Sequence, residues 1–283
     1  MTANKTPLFP IINKKLAALN DQFCFYLFLE REFEQRLSDF SPVVSRLFTS
    51  DVFAKNLYAP KIHVKIEKIP EFQERSRSFT FGSYFSTSYE IVSDYLDNSS
   101  LTLLQQIIPT SYQLAPNNQI ELKFFNTLQA SGCNLPAQEL ILTLKYIRLR
   151  RNHLIHLNNS ISSGLSLHIT DYGVILNTFW SGTITQLDFT KPDIHEFSVN
   201  ETIDLLKLLR IITERLDNTI ALSLSTEDVL LFSARQFTPT SRQRFNSEIV
   251  GQLARRLQKQ VALDYDMEST LEQAELAIQQ VAS

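Results

Sequence analysis

Apolar residues recur along most of this chain at the helical period. Leu16, Leu19, Phe23, Tyr26/Leu27, Phe33 and Leu37 follow three- and four-residue steps, which predicts a helix over residues 12–37 just after Pro10. Val43, Val44, Leu47 and Phe48 suggest a short helix after Ser41-Pro42. Phe81, Tyr84/Phe85, Ser88, Ile91/Val92 and Tyr95/Leu96 make a wide aromatic stripe and predict a second firm helix over 79–96, with the charged stretch 71–77 before it as a surface connection. Shorter helices are expected over 101–108, stopped by Pro109, and over 118–130, stopped by Ser131-Gly132. The longest helical run is 138–159, about 35 Å at 1.5 Å per residue. Asn134 is a candidate N-cap for it, with Pro136 in the first turn.

Two stretches leave this period. Residues 61–67 alternate polar and apolar and read as a short strand. Leu165-Ser-Leu-His-Ile also alternates, Asp171-Tyr-Gly173 is a turn signal, and Val174 to Phe179 follows; together they predict a β-hairpin within about 165–190, packed on the helical body. Helical spacing then returns. Ser198-Val-Asn-Glu201 is a capping box opening a helix to about Ala221, with Leu206, Leu209, Thr213, Leu216 and Ile220 in one stripe. Val229 to Phe232 is apolar and carries no clear period. Thr240-Ser-Arg-Gln243 and Ser269-Thr-Leu-Glu272 are further capping boxes, the first opening a helix with Phe245, Ile249, Leu253, Leu257 and Val261 in register. The expected architecture is mainly α: a helical domain over 12–224 with a small hairpin insertion, and a C-terminal helical extension over 225–283.

Composition narrows the class. In 283 residues there are 43% hydrophobic and 20% charged positions, ordinary globular usage, and only six glycines, which disfavours glycine-rich phosphate loops. No apolar run approaches the roughly 18–20 residues needed to cross a bilayer, so no membrane partner is expected. With no signal-peptide pattern and two isolated cysteines, Cys24 and Cys133, the expected location is the cytoplasm.

Net charge is −3, so overall basicity does not argue for nucleic acid; its distribution says more. Residues 145–151 hold four cations, 242–259 hold five against Glu248, and 264–283 hold five acids and no lysine or arginine. The second cluster reads as a solvated helix face, or as a partner-binding helix over 241–259 if the chain is a scaffold.

Familiar catalytic signatures are missing: GxSxG, HExxH, a P-loop, an EF-hand loop and GxGxxG. His153 and His156 share a helix at ligand spacing, but no spacing brings His63, His168 or His195 to them, so no metal is expected. On a helical projection of 138–159, Leu140, Leu144, Ile147, Leu154 and Ile155 form one apolar stripe with Arg151 in its middle. Leu142, Tyr146, Leu149 and Leu157 form a second strip, roughly opposite, with His153 and His156 inside and beside it. Lys145, Arg148 and Asn152 share an intervening face, and Arg150 lies on the other. Two apolar faces imply packing on two sides. An arginine within such a stripe needs either an acid partner, for which Glu90, Asp94 or Glu201 are candidates, or a wet cleft.

Arg151-Asn152-His153-Leu154-Ile155-His156, on a long helix in a helical domain, resembles the signature of the HEPN superfamily: an arginine, commonly followed by a polar residue, and a histidine four to six residues on. The resemblance covers at most about 14–222. It implies a metal-independent endoribonuclease with no cofactor, acting as a homodimer on RNA, in toxin–antitoxin or antiviral defence roles where an antitoxin or regulatory protein is a possible partner. It implies catalytic roles for Arg151 and His156, with Asn152 orienting; Lys145, Arg148 and His153 would contact substrate. The chemistry is coherent: histidine moves protons near neutral pH, and arginine stabilises a phosphorane's charge with a bidentate grip. Five residues apart, however, Arg151 and His156 diverge by about 140° on an ideal helix, so a single straight helix does not aim both at one phosphate. Arg148 to His153 has the same spacing and Arg150 to His156 is one longer, which leaves the register open. The alternative is a non-catalytic module of the same fold, serving dimerisation or nucleotide binding.

Overall fold

The computed structural model describes residues 4–108, 119–155, 160–191, 198–237 and 247–282. Among them the regular structure is helical, and the one β feature is an isolated antiparallel bridge between Phe48 and Lys65. α1 (Phe9–Ser38) leads through three single-turn helices, α2 (Pro42–Ser45), α3 (Thr49–Val52) and α4 (Ala59–Ile62), to α5 (Ile69–Asp94). A π-helical turn over Tyr95–Ser100 joins α5 to α6 (Leu101–Ile107). Then come α7 (Ile120–Ala130), α8 (Gln138–Ile155), α9 (Ser163–Phe179) and α10 (Val199–Ser223). α11 (Thr226–Phe237), α12 (Ser247–Tyr265) and α13 (Leu271–Ala282) follow. No described helix is long and apolar enough to cross a membrane.

The bundle is built around α10. Leu205, Leu208, Leu209, Ile212, Leu216 and Ile220 have no exposed surface, and the helix packs on α1, α5 and α8. Burying six such side chains stabilises the fold by roughly 1.5–3 kcal/mol each before the entropy of ordering them is set against it. α1 and α5 meet through aromatic edges, with Phe23 and Phe81 rings 5.3 Å apart at an interplanar angle of 75°. α11, α12 and α13 pack mainly on one another, and α11 touches α6, so the apolar core runs on into them.

Several sequence expectations change here. The charged stretch 71–77 is not a connection but the opening of α5, where Arg77 pairs with Glu30 (3.1 Å) and Glu34 (2.6 Å) of α1. Residues 61–67 form no strand: α4 ends at Ile62, His63 turns left-handed at φ +42°, and a 3-10 turn covers Ile66–Lys68. Asn134 does not cap α8; its backbone N–H donates to Ser223 Oγ (3.0 Å), fastening the loop to the end of α10. Residues 229–232 lie within α11. The capping box at the last helix is one residue later than read, with Gln273 N–H donating to Thr270 Oγ1 and Thr270 N–H to Gln273 Oε1. Residues 240–243 lie outside the described residues.

The expected β-hairpin is absent. Residues 163–179 form α9, capped by Ser162, whose hydroxyl accepts from Leu165 N–H. The alternation came from apolar residues that face outward: Leu167, Val174 and Ile175 are exposed, whereas Leu165, His168 and Leu176 are buried at helical spacing. Gly173, read as a turn residue, is instead a point of close approach. A Cβ there would lie 2.9 Å from the backbone oxygen of Phe189, which folds back across the helix. α9 ends at Trp180, fully buried, whose indole N–H donates to Thr143 Oγ1 of α8 (2.8 Å).

The amino-terminal segment is strapped down by a buried carboxylate. Thr6 donates to Asp217 through its backbone N–H (3.0 Å) and its hydroxyl (2.6 Å), and Tyr95 donates its phenolic O–H to the same group. Burial pushes the Asp217 carboxyl above its ordinary range, outweighing these hydrogen bonds.

Two tests follow from this packing. Gly173→Ala should destabilise the protein by about 1–3 kcal/mol in urea denaturation, because overpacking against a fixed backbone outweighs alanine's better helix propensity. Asp217 is an acid with a raised folded pKa, so its contribution is greatest below the unfolded value near pH ~4 and declines as pH rises through the folded pKa. Asp217→Asn should remove that decline from a stability–pH profile; an unchanged profile would exclude Asp217 as its source.

Candidate functional site

α8 lies between α5, α7 and α10 on one side and α9 on the other. Leu140, Leu144 and Ile147 of its first apolar stripe are buried in the bundle core. The second strip is covered within the same chain. His168 of α9 donates its Nε2–H to Leu142 O (3.0 Å), Tyr146 is buried beside the His168 ring, and Phe189 packs on Tyr146 edge-on at 4.8 Å. Over the described residues, both apolar faces of α8 are thus occupied by intrachain packing.

Each arginine of the cluster is aimed at an acid on a different helix. Arg148 holds Glu121 of α7 bidentately, with Nε donating to both carboxylate oxygens (2.9 and 3.1 Å) and Nη2 to Oε1 (2.6 Å). Arg150 meets Glu201 of α10 at 2.7 Å, and neither side chain is more than 4% exposed. Glu201 is the residue that the capping box predicts at the start of α10. Ser198 does accept from its backbone N–H (3.1 Å), but its carboxylate goes to Arg150. Arg150 also donates weakly to Tyr146 Oη (3.4 Å).

Arg151 differs from both. Its guanidinium pairs with Glu90 of α5 and donates to Asn152 Oδ1 (3.1 Å), with the arginine side chain 25% exposed and Glu90 54% exposed. Of the three acids the sequence offers it, the structure selects Glu90; Glu201 belongs to Arg150. Lys145 is half-buried, with no acid partner among the described residues, and it helps lower the His168 pKa, which burial depresses most. His153 is buried. His156 lies outside the described residues, so the structure brings Arg151 and Asn152 together and leaves the third expected member unplaced.

These positions distinguish the three arginines by their partners, while the pairing of any of them with His156 lies outside the described residues. Arg148 and Arg150 are anchored to buried carboxylates, and extracting either would strand a buried negative charge. Arg151 is the most exposed arginine of the cluster, at 25% of its side chain. The two scaffold pairs were not legible beforehand, because each partner arrives from a helix far off in sequence. A weak signal existed for Arg150, which stands apart from the other cations on the helical projection. Among the described residues no group of three or more His, Cys, Asp or Glu side chains is placed to hold a metal ion.

Stability should separate the arginines. Arg150→Ala should cost about 3–5 kcal/mol by leaving Glu201 buried and unpaired, whereas Arg151→Ala should cost only about 0–1 kcal/mol, since its pair is partly solvated. Urea denaturation of both variants at neutral pH measures the difference, and equal losses would mean that Arg151 is a strut like its neighbours. Comparison with known proteins supplies no parallel: no family model, no curated protein and no solved structure matches the chain.

Proposed function

We propose that the chain is a metal-independent endoribonuclease of HEPN type, with Arg151, Asn152 and His156 as its site. One observation carries this reading: Arg151 is the arginine of α8 that is both accessible and flanked by a polar side chain oriented onto it. An incoming phosphate would displace Glu90. Exposed ion pairs are worth only about 0–1 kcal/mol, so that exchange costs little. In the reaction the substrate's 2′-OH attacks phosphorus and the 5′-oxygen leaves, giving a 2′,3′-cyclic phosphate. Arg151 would stabilise the developing phosphorane charge and His156 would move the proton. The angular divergence of the two residues along a helix favours a site shared between two copies, and a homodimer belongs to this proposal on that ground and on the resemblance. Packing of α8 by α9 withdraws the separate argument from two uncovered apolar faces.

A second reading has its own observation. Glu121 and Glu201 neutralise Arg148 and Arg150, so the helix offers RNA less positive potential than its sequence suggests. This favours a non-catalytic module in which the basic run is internal bracing.

Incubation of the purified protein with RNA in EDTA distinguishes the two. The nuclease reading expects products with 2′,3′-cyclic phosphate ends and a loss of at least about 10²-fold in rate for His156→Ala and Arg151→Ala, with both variants folded. Cleavage that survives both substitutions would sink the site assignment. No cleavage by the wild-type chain would select the module.

A further inference from the structure

Between α1 and α5 the chain makes a compact excursion that neither reading of α8 uses. Its base is closed where Thr49 N–H donates to Val64 O (2.8 Å) and Ile66 N–H donates to Leu47 O (3.0 Å). Thr49 Oγ1 donates across its interior to Ala59 O (3.0 Å), and the His63 ring stacks flat on Phe48 at 4.4 Å. Ends held together around an internally bonded loop make a defined surface feature of the Ω-loop kind.

Its surface combines two features. Large apolar side chains stand in solvent: Leu57 is 84% exposed, Val43 74%, Tyr58 66% and Ile62 52%. Residues 42–68 also carry five cations against two acids, in a chain whose net charge is −3. Lys68 is answered by Glu71 (2.7 Å) and Lys65 loosely by Glu67 (3.8 Å). Lys55 and Lys61 meet no acid among the described residues, and the Lys61 ammonium lies 5.3 Å from the Tyr58 ring centre.

Beneath the excursion is an apolar hollow of about 180 Å³, walled by Phe33 of α1, by Phe53, Tyr58, Ile62 and Val64, and by Phe72 of α5. Lys61 belongs to the same turn as Ile62, and Lys55 precedes the loop residue Asn56, which also borders the hollow. An apolar cavity with lysines on residues next to its lining matches the anatomy of a small protein interface, a dry anchor pocket inside a charged border.

We propose that this excursion is the docking surface for an acidic, amphipathic segment of another protein. One large apolar side chain of that segment fills the hollow, and its carboxylates face Lys55 and Lys61. The other anionic partners match less of the surface. RNA would use the lysines and the tyrosine ring but neither the hollow nor the aliphatic Leu57 and Val43. An anionic bilayer would use the aliphatic tip and the lysines but not the hollow.

The test is selection of displayed random 16-residue peptides on the full chain, followed by fluorescence anisotropy with the recovered peptides. Lys55→Glu/Lys61→Glu, at exposed positions, removes the rim charge; Phe72→Ala opens the wall, and circular dichroism checks that both variants stay folded. The proposal expects peptides combining an aromatic or leucine anchor with flanking Asp or Glu. Their affinity should fall at least tenfold in the charge variant and fall again when the peptide's anchor becomes serine. Recovery of no peptide sensitive to either variant overturns it. Three parallel arms can also overturn it: a 20-nucleotide RNA or a 30% phosphatidylserine vesicle that binds more tightly than the peptides and loses binding with the charge variant, or self-association in sedimentation that the charge variant abolishes.

Discussion

The buried pair between Arg150 and Glu201 sets the terms for the rest of the bundle. It crosses from the C-terminal third of α8 to the first turn of α10, two helices that pack on each other and on α5. Two charges taken this far from water are tolerable only if they meet, so the pair fixes the rotation of both helices about their axes. A turn of α8 by one residue would bring Lys145 to where Tyr146 now lies, or Arg148 or Arg150 to where Leu149 now lies. The same constraint makes α8 a hub. Arg148 ties it to α7, Arg150 to α10 and Arg151 to α5, so its charges act as directional fasteners in a core otherwise held by non-directional apolar contact.

Other polar groups inside the bundle act in the same way. Asp204 of α10 accepts the backbone N–H groups of Thr185, Gln186 and Leu187 (2.9, 2.7 and 3.0 Å), pinning the segment after α9. That segment continues to Phe189, whose carbonyl requires glycine at position 173. Asp217, between three and four turns further along α10, holds Thr6. One helix therefore presents three carboxylates, Glu201, Asp204 and Asp217, each engaged with a different part of the chain. The amides of Thr6 and of residues 185–187 pass over the core satisfied, because α10 supplies their acceptors.

Most of the helices were legible in the sequence because their buried faces repeat cleanly: the Phe23 stripe of α1, the Phe81-to-Val92 stripe of α5 and the leucines of α10. α9 was misread for a physical reason. Its outward face carries Leu167, Val174 and Ile175, so the contrast between faces that marks a helix is blurred into alternation. Residues 71–77 were misread because their charges signal solvent, whereas Arg77 is spent on α1. The candidate site was legible only in part. A local pattern marks Arg151 and Asn152, but which arginine stays partly exposed depends on acids 27, 51 and 61 residues away, at positions 121, 201 and 90. No local pattern encodes such distances.

Trp180 gives the packing of α8 against α9 an optical signature. It is the only tryptophan in the chain, it is fully buried, its indole N–H is held by Thr143 of α8, and the Arg215 guanidinium of α10 stacks over it at 5.1 Å. Intrinsic emission on tryptophan excitation therefore originates at one junction, where α8, α9 and α10 meet. A shift in that emission reports the seam beside the candidate site, and loosening confined to α11–α13 or to the excursion before α5 would pass unseen. Fluorescence and circular dichroism would then diverge whenever the ends of the molecule loosen before its centre.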